Sequence, residues 1–456
     1  MASEYTLSDD GNAQRLAKTH YRTLRCAKGV GWIAYFDGMW QRSADHALNA
    51  ARETARSIMD DADKEDTRCP IGKWAEESLS AGKIESMLRL AKSDPSLALE
   101  QSRLNPDPFL LGCYNGIVDL RTGRFSPHEP GHLITNQASV RWDGEAVCPT
   151  WIRFLADVTD GNKDLIRSLQ QFVGYSLTGS TREQCLFILY GTGANGKSTF
   201  TDAIHALMGS YATWTPAESF MLKRFGGSTS NDIAALHDKR LVIASEPELG
   251  ATFCESKVKA MTGENTICAR YLYGEFFEFR PKFKIWISTN HKPRIKGTEE
   301  AIWRRIRLVP FQVFIPAEKR DKELDKKLEA ELPGILNWAV QGCIDWLEAG
   351  ELATAEAIVT ATDAYRQEED FLTDFINDCI EVDPTNCISK KDLYLVYKKW
   401  SESTGARVVS MRRLASMLEE KGFREVRKHG TVRAWTSIRL TPDAEKARST
   451  NTEYGR

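Results

Sequence analysis

Leu186-Phe187-Ile188-Leu189-Tyr190-Gly191-Thr192-Gly193-Ala194-Asn195-Gly196-Lys197-Ser198-Thr199-Phe200 is the stretch whose reading decides the fold. Five apolar residues in a row predict a buried strand. The next eight, Gly191 to Ser198, fit G-x-x-x-x-G-K-[ST], the phosphate-binding loop. Phe200, Ile204 and Leu207 then recur at helical spacing. Strand, glycine loop and helix is the context the motif requires. Glycines let successive N–H groups turn inward toward phosphate oxygens, and the following helix aims its positive end at the same point. Lys197 is placed to reach the β- and γ-phosphates, and Ser198 to hold Mg²⁺. The residues from Gly191 to Thr199 are therefore the expected ATP-binding set, with ATP and Mg²⁺ as cofactors.

Working outward, 456 residues with 42% hydrophobic and 27% charged content describe an ordinary globular chain of several domains. The formal net charge of -2 neither favours nor excludes nucleic acid, because a basic patch can hide in a neutral total. Ten cysteines without a C-x-x-C pair suggest neither a zinc site nor a disulfide framework. The N-terminus lacks a basic and apolar leader, and no run of 18 apolar residues exists. A cytoplasmic protein without membrane contact is the expectation.

The first hundred residues alternate aromatic strands with charged helices. Gly31 to Trp40 reads as a hairpin turning at Asp37-Gly38. Asp45 to Asp63 reads as a helix with Ala47, Ala51, Ala55 and Ile58 on one side, and its Asp61-Ala62-Asp63 as a solvated end. A β-rich segment follows, turning at Arg121-Thr122-Gly123, and Trp151 to Leu177 returns to helix. The expected organisation is an α+β domain over 1–150, a helical collar over 151–181, a P-loop motor over 182–368, a C-terminal domain over 369–440 and a disordered tail over 441–456. Alternating strands and helices make the motor an α/β unit with a parallel sheet and the loop at the carboxyl ends of its strands.

Hydrolysis needs an acid near the attacking water. Leu241-Val242-Ile243-Ala244-Ser245-Glu246 is a buried strand ending in Glu246, the candidate for that acid and for Mg²⁺; Glu248 is a weaker one for indirect metal contact. Phe283 to Asn290 is a further buried strand, and Asn290 at its end is placed to sense the γ-phosphate. Downstream, Trp303-Arg304-Arg305-Ile306 offers arginines able to cross a subunit interface and stabilise charge on the transferring group.

These four motifs in this order resemble the superfamily III helicases, and more narrowly the helicase half of phage and plasmid primase–helicases, a group also similar to the poxvirus primase-helicase. The Asp10-Gly11-Asn12-Ala13 start and the Trp32 to Trp40 segment resemble the domain preceding the motor in that family. The resemblance implies an AAA+-type motor that forms a homo-oligomeric, hexameric ring on DNA and moves 3′→5′ on single-stranded and forked substrates. It gives Glu246 the role of Walker B acid, Asn290 that of sensor, and Arg305, fifteen residues beyond the sensor, that of arginine finger, with Arg304 as the neighbour able to take the part. One departure stands out: many such motors carry two adjacent acids where this chain has Ser245-Glu246.

The family also places a DNA-gripping hairpin between the acid and sensor strands. Here that segment offers Arg270 and Lys282 as backbone contacts and Tyr271 and Tyr273 as stacking faces; the alternative is aromatics packed on the sheet. Between Gly405 and Leu440, nine basic residues stand against three acidic ones. From Phe371 to Leu440, a helix over Asp392 to Trp400, a second helix capped by Ser410 and a β-hairpin read as a winged helix, with Arg412 and Arg413 opening the second helix and Lys428 and His429 at the wing tip. The same basic face also suits protein docking. No D-x-D pair on a strand and no zinc knuckle is present, so primer synthesis is expected to require a separate primase or polymerase. The leading expectation is an ATP-dependent DNA helicase of a phage, prophage or plasmid in a bacterial cell. The alternative is an ATP-gated, origin-binding initiator or switch that binds DNA without processive unwinding.

Overall fold

Five parallel strands form the centre of the computed structural model, which describes residues 5–61, 70–222, 230–263, 265–272, 274–297, 300–406, 408–428 and 432–449. Their spatial order is Ile306–Pro310, Leu186–Tyr190, Lys284–Thr289, Leu241–Ala244, Ala212–Thr215. The phosphate-loop strand thus lies between the strand that follows the arginine pair and the strand that runs into Asn290. Leu186 to Leu189 and Leu241 to Ala244 are buried throughout, as expected of parallel strands covered on both faces. Phe187, Phe200 and Trp286 stack across the sheet and its following helix, with ring centroids 4.6–5.6 Å apart.

One hydrophobic core runs from Leu111 to Ile358. It takes in the β-rich segment Leu110–Cys113 and Gly116–Asp119, both helices Pro149–Val158 and Lys163–Leu177, and the long helix Leu332–Ala349. Two of these helices approach closely at glycines: a Cβ at Gly174 would lie 2.3 Å from the Cys343 nitrogen, and one at Gly342 2.3 Å from the Gln170 oxygen. The carboxyl end of Lys163–Leu177 is closed by two buried cations. Arg240 donates to the carbonyls of Leu177 (2.7 Å) and Leu110 (2.8 Å), and Lys284 to those of Thr178 and Ser180. Orphan carbonyls and the negative helix end favour positive charge there, although burial pushes both side chains below their ordinary pKa.

Toward the N-terminus, Gly31–Phe36 and Met39–Arg42 form the expected hairpin, with Asp37 and Gly38 at φ of 50° and 79°, the two-residue turn that suits twisted strands. Helix Ala44–Ser57 buries Ala47, Ala51 and Ala55 fully. Asp63 lies outside the described residues, so the helix end read there is not described.

Contacts divide the chain into two units, Met1–Pro293 with Arg304–Val359, and Arg294–Trp303 with Thr360–Arg456. In the second, helix Phe371–Cys379, strand Ile380–Ser389, helices Lys390–Thr404 and Met411–Glu420, and strands Glu425–Lys428 and Val432–Leu440 follow in order. The three strands form an antiparallel sheet with Val432–Leu440 in the middle. Phe375, Leu393, Tyr397, Leu418 and Trp435 fill its core. Residues 294–303 belong to this unit: the Ile295 nitrogen donates to Glu369 (3.0 Å), and Trp303 packs edge-on to Tyr365 (5.2 Å).

The tail departs from expectation. Pro442–Ser449 is a helix rather than disordered chain. Thr441 Oγ1 accepts from the Ala444 nitrogen at its start, and Ala444 itself is buried in the core of this unit. A low apolar count over the whole tail hid this single anchoring residue; residues 450–456 lie outside the described set. Among the described residues, no helix is long and apolar enough to cross a membrane.

Candidate active site

The register of the central sheet sets the site. Thr289 pairs with Tyr190, and Ala244 with Ile287, so the phosphate loop, Glu246 and Asn290 all emerge from the same edge. Gly193, Ala194 and Gly196 adopt φ of 105°, 52° and 82°, the left-handed turns that bring backbone N–H groups inward. Gly191 has no room for a side chain: a Cβ would lie 2.0 Å from the Phe311 oxygen.

Lys197 opens the helix that follows and is only 6% exposed. Its ammonium donates to the Gly191 oxygen at 2.7 Å, Asn195 Oδ1 at 3.0 Å and Asn290 Oδ1 at 2.9 Å. Burial lowers its pKa, and the nearby Glu246 carboxylate works against that. Glu246 in turn accepts from the Asn290 nitrogen at 2.8 Å and from Asn290 Nδ2 at 3.3 Å. The three residues picked out from separate motifs thus form one hydrogen-bonded chain, Lys197 to Asn290 to Glu246. Three oxygens around the ammonium are the acceptor set that phosphate oxygens offer, so the site fits a polyphosphate. The surrounding cleft has a volume of about 1110 Å³ and is also lined by Ser198 and Thr199. Glu248 is exposed and is not among the residues lining it.

The arginine pair occupies the opposite edge. The Leu186 nitrogen donates to the Arg305 oxygen, and Ile306 pairs with Leu186 while Pro310 pairs with Tyr190. The pair therefore lies a full five-residue strand, about 16 Å, from its own phosphate loop. The two arginines differ in exposure. Arg305 is 8% exposed, held by Thr262 Oγ1 (3.2 Å) and Gln184 Oε1 (3.1 Å), whereas Arg304 is exposed and shares Gln184 Oε1 at 3.0 Å. A run of two arginines carries no sign of which one turns inward.

In the hairpin Ile267–Arg270 and Phe276–Phe279, the Arg270 guanidinium sits over the Phe276 ring at 4.9 Å. Tyr271 is partly committed to the protein: it stacks on Phe277 (5.5 Å) and its hydroxyl donates to the Ala234 oxygen (3.0 Å). Tyr273 lies outside the described residues. Lys282 lies beyond the hairpin strands, with its ammonium 3.5 Å from Asp238. In the C-terminal unit Arg412 is exposed, but Arg413 donates to the Lys296 oxygen at 3.2 Å and stands 3.9 Å from Glu420. Lys428 ends its strand; its side chain, and the wing tip at His429, are outside the described set.

Residues 13–160 match the family model described as D5 N terminal like, and 367–438 the one described as Poxvirus D5 protein-like. Between them, residues 189–305 match a family of unknown function, DUF5906. The chain is 28% identical over 328 residues to "Putative helicase L207/L206" of Acanthamoeba polyphaga mimivirus, covering 66% of this chain and 34% of that protein. It is 30% identical over 156 residues to "Primase D5" of fowlpox virus (strain NVSL), covering 33% and 19%. The chain is a superfamily III primase–helicase-like protein. It spans about a fifth to two fifths of the length of the curated relatives it matches.

A solved structure, the apo NrS-1 C terminal region (305-718), superposes on this chain with a TM-score of 0.50 at 11% identity, covering 94% of this chain and 99% of that one; it shares the fold. The relatives, among them "Putative helicase 022R" of Frog virus 3, are proteins of eukaryotic viruses, and nothing in them supports the bacterial host expected from sequence. Those relatives are named as putative helicases and a primase. Sequence reading put Asn195 in the nucleotide-binding set but did not find its bond to the neighbouring strap, in which Nδ2 donates to the Phe311 oxygen at 2.7 Å. It sits at a variable position of the motif, where no residue type is expected.

Proposed function

We propose that this chain is the motor of an ATP-dependent DNA helicase that acts as a ring, moving 3′→5′ in the replication of a virus or other mobile element. The observation that carries the proposal is the pair of opposed edges. Lys197, Asn290 and Glu246 meet at one end of the sheet, and Arg304 is presented at the other, too far away to serve the same nucleotide. A site split in this way is completed by a neighbouring copy, and a closed arrangement of such copies is a ring.

On ATP binding, the γ-phosphate oxygens take over Lys197 from Asn290. Asn290 is then released to orient the attacking water, and Glu246 accepts the proton as the water adds to the γ-phosphorus and the bond to the β-phosphate oxygen breaks. Ser198 and Glu246 are the side chains that would hold Mg²⁺, which when bound neutralises charge across the β- and γ-phosphates. Arg304 of the next subunit would stabilise the transferring group, the role worth about 10³- to 10⁵-fold in related nucleotide hydrolases. DNA contact falls to the Arg270 hairpin and to the C-terminal unit, read here as a winged helix with Met411–Glu420 as the groove helix.

Strand displacement on 3′- and 5′-tailed forks, run with ATP and alongside particle mass, tests this. Unwinding of the 3′-tailed fork by a multimer is the expected outcome. DNA-stimulated hydrolysis with no displacement on either fork would replace the motor by an ATP-gated switch.

A further inference from the structure

The cleft extends well past the phosphate loop, and its far wall is a strap that follows the strand Ile306–Pro310. This strap is fastened to the phosphate loop at two points. Phe311 donates to the Tyr190 oxygen (2.7 Å) and accepts from Asn195 (2.7 Å), and the Ile315 nitrogen donates to the Ala194 oxygen (2.8 Å). Between these anchors the chain does something unusual for an apolar segment. Phe311 is 1% exposed, but Phe314 is 62% exposed and lines the cleft. Arg320, which also lines the cleft, braces the strap by donating to the Ile315 oxygen at 3.0 Å, with its guanidinium over the Phe314 ring at 5.9 Å. Arg153 and Asp157 of helix Pro149–Val158 also line the cleft, as does Asp202, one helical turn beyond Ser198. An exposed aromatic ring in a cleft lined by charged groups, tied by its strap to a phosphate loop, suits a planar heteroaromatic ring.

We propose that Phe314 is the stacking platform for the base of the nucleotide whose phosphates occupy the loop. This rests on reading the cleft as an ATP site, and it adds the residue that separates a nucleotide from bare polyphosphate. The anchors at Ala194 and Asn195 hold the base platform in register with the phosphate cradle, so both ends of the ligand are gripped by one rigid piece of backbone.

Calorimetric binding of Mg·ATP and of Mg·tripolyphosphate, which carries neither base nor sugar, tests the proposal on the full chain. Phe314→Ala should weaken ATP by about tenfold to a hundredfold, the worth of one base–aromatic stack, and leave tripolyphosphate affinity unchanged. Phe314→Leu, which keeps apolar bulk without the aromatic face, should behave as Phe314→Ala, and Phe314→Tyr should retain ATP. Lys197→Ala should weaken both ligands. Unchanged ATP affinity in Phe314→Ala, or equal losses for ATP and tripolyphosphate, overturns the stacking role and leaves the phosphate site standing. A wild-type chain that binds neither ligand sinks the ATP reading and this proposal with it.

Discussion

The phosphate-loop cleft stands out in sequence by a motif and the C-terminal unit by a charge excess, and the structure treats their charged residues differently. In the cleft, Lys197 is buried and meets only oxygens that a phosphate would supply or displace. In the C-terminal unit, much of the basic excess is already spent. Lys421 pairs with Asp370, Arg433 with Glu425 and Arg439 with Glu381, at 2.8, 3.5 and 2.6 Å. Two of those three carboxylates lie outside the sequence window in which the charge was counted. A motif fixes relations among its own residues; a charge count says nothing about partners brought in by the fold.

The largest expected effect comes from Lys197. Lys197→Ala should abolish steady-state ATP turnover while leaving the circular dichroism spectrum unchanged. The ammonium makes no contact that the core depends on, and its removal deletes the main positive charge at the γ-phosphate. Turnover near wild type would break the contrast at its strongest point.

The arginine pair gives the next effect and tests whether exposure decides role. Arg304→Ala should still bind ATP but hydrolyse it about 10³-fold more slowly, and mixing it with Lys197→Ala protein should restore partial activity, since a mixed ring holds some intact sites. Arg305→Ala should instead lower stability by about 1–3 kcal/mol, because Thr262 and Gln184 lose a buried charged donor. Calorimetry beside turnover separates the two. If Arg305→Ala is the variant that keeps its melting temperature and loses hydrolysis, the finger is Arg305 and must turn outward on assembly.

How much was legible follows the same line. The parallel sheet, the phosphate loop and the meeting of Glu246 with Asn290 could be read because each is a short contiguous pattern ending a buried strand. Relations across the chain could not. Nothing in the local sequence assigns Arg240 or Lys284 a partner, yet both close a helix end that lies more than sixty residues away. Residues 294–303 follow the sensor in sequence but pack with the C-terminal unit, since Ile295 and Trp303 find their partners at Glu369 and Tyr365.

Asn195 sharpens the comparison further. It holds Lys197 with one atom and the Phe311 oxygen with the other, so it joins the phosphate cradle to the adjoining strap. Asn195→Ala should reduce turnover about tenfold, the effect of losing about 1.4 kcal/mol of positioning. It should also lower the melting temperature by a few degrees through the buried carbonyl left without its donor. A variant that loses turnover with no thermal shift would mean that Asn195 touches the nucleotide and does not merely brace the loop.

The smallest effect belongs to the C-terminal unit, where the two adjacent arginines of Met411–Glu420 should part company. Arg412 is exposed on the first turn of that helix, free to meet a phosphate. Arg413 is engaged by the Lys296 carbonyl and lies near Glu420, so giving it to DNA costs contacts already made. In the full chain, Arg412→Ala should weaken duplex binding severalfold and flatten the dependence of log affinity on log salt by about one unit, the signature of one lost phosphate contact. Arg413→Ala should leave that slope nearly unchanged and lower the melting temperature instead. Fluorescence anisotropy across a salt series measures the slope directly. Equal flattening by both variants would show that Arg413 abandons Lys296 for DNA. Slopes unchanged in both would move DNA contact off this helix and leave the basic face to a protein partner.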